Sequence, residues 1–131
     1  CLFCGDTLFG AGCGRLFEGT AAQMAASLET ISALPDNTQI YCAHEYAAQN
    51  LRVARVAEPG NPQLQARAAA VAAARARGEP TVPSTLALEK ATNPFLRCTA
   101  PELLAAARQR GARSDDPVEV FATLRAWRDE F

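Results

Sequence analysis

Apolar and polar positions follow two different periods along the chain, and the period changes near residue 44. Leu2, Phe3 and Cys4 form a short apolar run ended by Gly5 and the carboxylate of Asp6, the pattern of a buried strand that delivers one acid to the rim of a sheet. A second strand-like run, Thr38-Gln39-Ile40-Tyr41-Cys42-Ala43, ends in His44. Between them the glycine-rich stretch Gly10 to Gly14 reads as a loop, and it lacks the ending of a phosphate-binding Walker loop. Thr20 and Gln23 then form a capping-box pattern. Met24, Leu28, Ile31 and Leu34 recur three and four residues apart, so residues 21–34 read as an amphipathic helix that Pro35-Asp36-Asn37 stops. Strand, helix, strand predicts a right-handed crossover with two parallel strands, bringing Asp6 and His44 to the same end of the sheet.

Beyond His44 only helical periods recur. Ala48, Leu51 and Ala54 or Val53 share one side of a helix over residues 45–57, which Pro59-Gly60-Asn61-Pro62 ends. Asn61 as N-cap and Pro62 in the first turn open an alanine-rich helix to about Arg77. Its apolar face is thin (Leu64, Ala68, Val71), and its arginines are expected in solvent. Residues 78–83 read as extended, since a proline disfavours helix at the residue before it. Ser84 is the expected cap of a short helix through Lys90. Thr99-Ala100-Pro101-Glu102 reads as a capping box for a helix to about Gln109 that buries Leu103, Leu104 and Ala107 and stops at Gly111. Asp116-Pro117-Val118-Glu119 opens a last helix with Val118, Phe121 and Leu124 inward. The expected organisation is a βαβ unit over residues 1–45 followed by an all-α module over residues 46–131.

The 131 residues give room for one ordinary domain or parts of two. A chain that is 49% hydrophobic and 21% charged is globular rather than disordered. Its net charge of -1 argues against a general nucleic-acid or membrane-surface binder, whose affinity rests on a basic excess. The 5 cysteines are an odd number without zinc-finger spacing, and they read as reduced thiols of a cytoplasmic protein. No signal peptide or apolar run of membrane-spanning length is visible. Cys1 runs straight into a strand without an initiator methionine, so a preceding segment is expected.

Asp6 and His44, the chain's only histidine, stand at strand ends, where ligands bind in open α/β sheets. Asp6 reads either as a turn residue or as a metal ligand, and His44 either as a structural hydrogen-bonding residue or as a ligand. Taken together they favour a metal site. Two ligands do not close one, because a catalytic zinc takes three protein ligands and a water. Arg15 reads as a contact for an anionic substrate or as a solvated loop arginine. Arg125 and Arg128 share a helix face and can grip a carboxylate in paired hydrogen bonds, or form a surface pair matched by Glu119, Asp129 and Glu130. Tyr46 reads as a substrate contact or as a half-buried aromatic.

Gly5-Asp6-Thr7-Leu8-Phe9, Gly12-Cys13-Gly14-Arg15-Leu16-Phe17-Glu18-Gly19-Thr20 and Cys42-Ala43-His44-Glu45-Tyr46 resemble the second half of the glyoxalase II family, the hydroxyacylglutathione hydrolases of the metallo-β-lactamase superfamily. The resemblance continues through Glu58-Pro59-Gly60-Asn61-Pro62, Asn93-Pro94-Phe95-Leu96-Arg97 and the closing Leu124-Arg125-Ala126-Trp127-Arg128-Asp129-Glu130-Phe131, and so covers the whole chain. It implies an α/β fold, the C-terminal end of an αββα sandwich followed by an all-α helical module. By matched position it implies that Asp6 bridges two divalent metals and that His44 ligates one of them. Zinc is the expected metal, with iron or manganese also accepted. Arg15, Leu16, Phe17, His44, Glu45, Tyr46, Arg125 and Arg128 match the substrate site, with Arg125 and Arg128 on the glycine-end carboxylate of glutathione. Phe17 lacks the hydroxyl of the tyrosine that animal members tend to carry there.

The implied reaction is hydrolysis of S-D-lactoylglutathione to D-lactate and glutathione by a metal-bridged hydroxide. Cys13 and Cys42 are then packing residues, the partner is a small-molecule glutathione thioester, and the complete protein is a monomer. The family's Thr-His-x-His-x-Asp-His segment, which supplies most metal ligands, does not occur in these residues, so the chain alone is expected to be inactive and poorly soluble. Two other readings stand beside this one. The first is another metallo-β-lactamase-fold hydrolase or an iron persulfide dioxygenase, relatives that lack the Arg125/Arg128 pattern. The second is a non-catalytic glutathione-binding module.

Overall fold

The structure, a computed structural model, describes residues 1–5, 7–14 and 20–130. Strand β1 (Leu2–Gly5) leads into a tight hairpin, β2 (Leu8–Phe9) and β3 (Gly12–Cys13). The glycine-rich stretch expected to be a loop is therefore strand at Gly12 and Cys13. Leu8 opposes Cys13 and Phe9 opposes Gly12, which leaves Gly10 and Ala11 as a two-residue turn. Ala11 sits in the left-handed region at φ 57. Gly12 is required by close approach, since a Cβ there would overlap the Asn50 side-chain amide.

Helix α1 (Ala21–Ser32) has the expected capping box: the Thr20 hydroxyl accepts from the Gln23 N–H, and the Gln23 side chain accepts from the Thr20 N–H. It ends before Leu34, which is exposed rather than part of the buried face. Strand β4 (Gln39–Cys42) runs parallel to β1, with Leu2 opposite Ile40 and Phe3 opposite Tyr41, as the crossover pattern predicts. Contrary to expectation β1 is not buried. Phe3 is 77% exposed and stacks on the Tyr41 ring at 5.0 Å.

Helix α2 (Ala47–Ala57) turns Ala47, Asn50, Leu51, Val53, Ala54 and Ala57 inward, whereas Ala48, expected on that face, is exposed. Asn61 caps α3 (Pro62–Ala76) by accepting from the Gln63 and Leu64 N–H groups. The expected all-helical run is then interrupted by β5 (Ser84–Thr85), which pairs antiparallel with β4 and gives the sheet order β1-β4-β5. An open edge of β4 carries unpaired backbone groups, and the extended chain after Pro83 satisfies them. Thr85, not Ser84, consequently caps α4 (Leu86–Thr92). A 3₁₀ turn (Pro94–Leu96) and α5 (Pro101–Gln109) follow. The capping box expected at Thr99 does not form: Ala100 is the N-cap, and Glu102 accepts from the Gly60 N–H at 3.0 Å. Gly111, at φ 105, ends that helix and α6 (Pro117–Glu130) closes the chain.

The main core joins Leu28 of α1, Ile40 of β4, Leu86 of α4, Leu103 of α5 and Val120, Phe121 and Leu124 of α6, with Phe95 packed edge-on against Phe121. A second cluster joins Ala11 of the hairpin turn to Ala47, Leu51 and Ala54 of α2 and Leu64 and Val71 of α3. The hairpin thus sits between the two clusters. Among the described residues no helix is long and apolar enough to cross a membrane.

Candidate functional site

The carboxyl ends of β1 and β4 meet where the sequence places its candidate ligands. Gly5 pairs with Cys42, and the Ala43 N–H donates to the Gly5 carbonyl at 3.0 Å. These are the residues just before Asp6 and His44. Asp6 itself, and Arg15, Leu16 and Phe17, lie outside the described residues. The His44 ring stacks on Tyr46 with centroids 5.0 Å apart and planes at 16°. Phe9 of the hairpin, itself buried, closes the group at 4.9 Å from Tyr46 and 5.9 Å from His44. The resulting aromatic wall leaves Tyr46 exposed at its rim.

Both arginines of α6 reach toward this hairpin. Arg125 is buried; its Nε donates to the Gly14 carbonyl at 2.9 Å, one residue before Arg15. Its Nη1 lies 3.1 Å from Asp129 Oδ1, an ion-pair distance without hydrogen-bond alignment, and is a buried donor with no hydrogen bond among the described residues. Arg128 Nε donates to Asn50 Oδ1 at 3.2 Å, while Asn50 Nδ2 donates to the Gly10 carbonyl at 3.1 Å. Glu45 points elsewhere: its carboxylate accepts from the Thr81 N–H and hydroxyl and pairs with Arg75 at 3.4 Å.

Sequence reasoning missed the buried polar groups behind this wall. Arg67, expected in solvent on α3, is 6% exposed, and its Nη2 pairs with Glu89 Oε2 at 2.7 Å. Thr92 Oγ1 accepts from Arg67 Nη1 at 2.7 Å. Asn93 donates to the Phe9 and Gly12 carbonyls and accepts from the Phe95 N–H. A second node joins Glu58 to Arg97 at 2.7 Å and to Asn61, which also donates to the Ala91 carbonyl at 2.8 Å. Hydrogen bonding to Glu58 raises the Arg97 pKa further above its ordinary value. Asn50 was detectable as a polar residue within the apolar stripe of α2. Nothing local marked Arg67, whose partner is 22 residues away.

A metal centre has to be judged on its donors. Among the described residues no three His, Cys, Asp or Glu side chains converge on one point. His44, with the carboxylate of Asp6 in sequence beside Gly5, fits part of such a centre and does not complete it, because a catalytic zinc takes three protein ligands.

Residues 45–131 match the model of the hydroxyacylglutathione hydrolase C-terminus. The chain belongs to the hydroxyacylglutathione hydrolase family. It is 58% identical over 144 residues to a hydroxyacylglutathione hydrolase of Dechloromonas aromatica, covering 99% of this chain and 54% of that protein. Hydroxyacylglutathione hydrolases of Nitrosomonas europaea and Cupriavidus taiwanensis are 53% and 54% identical, each across 99% of this chain and over 50% and 49% of their own lengths. The chain therefore spans about half the length of the curated hydroxyacylglutathione hydrolases it matches.

Proposed function

We propose that this chain forms the glutathione-binding half of a hydroxyacylglutathione hydrolase, and that the complete protein cleaves S-D-lactoylglutathione to glutathione and D-lactate. In this reading residues 1–45 belong to the end of an αββα sandwich and residues 46–131 to a substrate-binding module. The observation that carries the reading is the convergence of Arg125 and Arg128 on the hairpin that also backs His44 and Tyr46. Two guanidinium groups suit a carboxylate, and Arg125 is held in place by the Gly14 carbonyl and the Asp129 carboxylate. Phe9 and Tyr46 pack beside the His44 ring on the same hairpin side. Arg15, Leu16 and Phe17 complete the substrate site in sequence. Glu45 is left out of it, because Thr81 and Arg75 occupy its carboxylate. Asp6 and His44 would hold part of a centre of two divalent ions, zinc, iron or manganese, that supplies Lewis acidity and an activated water when bound. The free thiols fit a cytoplasmic enzyme, which we take to be a monomer when complete.

The test is kinetic and uses the full-length protein. Arg128→Ala is expected to raise KM for the thioester about tenfold or more, the loss of a charge-assisted hydrogen bond, with bound metal per protein unchanged. An unaltered KM would sink the clamp. Glutathione binding without metal or turnover would instead identify a non-catalytic binding module.

A further inference from the structure

The hairpin's own ladder is only two residue pairs long, and side chains from elsewhere hold it in place. At its turn the Ala11 N–H donates to Glu89 Oε1 at 3.0 Å. Asn93 Nδ2 donates to the Gly12 carbonyl at 3.0 Å and the Phe9 carbonyl at 3.3 Å. Glu89 and Asn93 are each 0% exposed. A buried carboxylate is tolerated only when its oxygens are saturated. Glu89 meets that condition with four donors: Ala11, Asn93, Arg67 and Ser84. An apolar side chain at 89 would leave the Ala11 N–H buried without a partner.

We propose that Glu89 and Asn93 are positioning residues for the substrate site: by fixing the hairpin they fix Phe9 against His44 and Tyr46. The proposal rests on the substrate site described above. Neither residue needs to touch substrate. A displacement of about 1 Å in positioned groups costs on the order of 100-fold in rate.

Thr92 provides the comparison, because its hydroxyl belongs to the same polar network through Arg67 but, among the described residues, its hydrogen bonds go to Arg67 and the Leu88 carbonyl and none goes to the hairpin. In the full-length protein Asn93→Ala and Glu89→Gln are expected to lower kcat/KM for S-D-lactoylglutathione about 10- to 100-fold, mostly through KM. Thr92→Val should lower the melting temperature comparably and leave kcat/KM near wild type. Hydrogen exchange at the amides of residues 8–13 should quicken in the first two variants and not in the third. If all three variants lose stability alike while kinetics and exchange stay together, Glu89 and Asn93 are structural residues and the proposal falls. A wild-type protein with no thioesterase activity sinks the proposed reaction alone. The exchange comparison then still decides whether these two residues hold the hairpin.

Discussion

Burial raises the Cys13 and Cys98 thiols to about 12, against an ordinary value of 9.0. Between those limits the unfolded chain releases protons that the folded chain keeps. The unfolded state then binds fewer protons, and stability falls as pH rises. The contribution is whole below 9.0 and is lost toward about 12. Urea unfolding above pH 9.0 should show this decline, and Cys13→Ala or Cys98→Ala should flatten it. At neutral pH a thiol reagent should modify exposed Cys1 well before either of them. A slope unchanged in both variants would assign the alkaline loss to other groups. Single residues differed in how far the sequence exposed them. Thr20 and Asn61 were readable because a cap acts on N–H groups two and three positions away. Arg67 and Glu89 were not, because their pairing closes only in the folded chain.

Caps and prolines mark the helices, and α1, α3 and α6 begin where those signals put them. The short strands carried no such mark. Two residues cannot show a period of two, so β2, β3 and β5 exist through their partners rather than their composition. The cap at Asn61 does more than open α3, since its amide also donates to Glu58 and the Ala91 carbonyl. Asn61→Ala should therefore cost about 2–3 kcal/mol, the cap plus buried groups left unbonded. Thr20→Ala, at an exposed cap, should cost only about 1 kcal/mol. Denaturant midpoints measure both, and equal losses would mean that the inner bonds of Asn61 contribute nothing.

Among the described residues the most exposed large apolar side chain is Phe3, on the β1 side of the sheet. Among the described residues β1 pairs only with β4, and Phe3 and Tyr41 form an outward-facing stack. An open edge beside an exposed aromatic is an association site. The 131-residue chain should self-associate in light scattering, and Phe3→Lys should reduce that without lowering the melting temperature. Scattering unchanged by the substitution would move the sticky surface elsewhere. The parallel pairing behind this edge was legible from the crossover pattern, whereas the exposure of Phe3 was not, because an apolar run does not say which face is covered.

The hairpin's supports also impose an order on assembly. Its backbone groups bond to Asn50, Glu89, Asn93 and Arg125, partners 40, 78, 81 and 111 residues further along the chain. Closing loops of that length precedes any reward from the contacts they permit. A ribosome releases Phe9 and Gly14 long before Arg125, so the bond from Arg125 to the Gly14 carbonyl closes only after α6 has emerged and docked. The hairpin is thus synthesised before the side chains that support it and completed only after them.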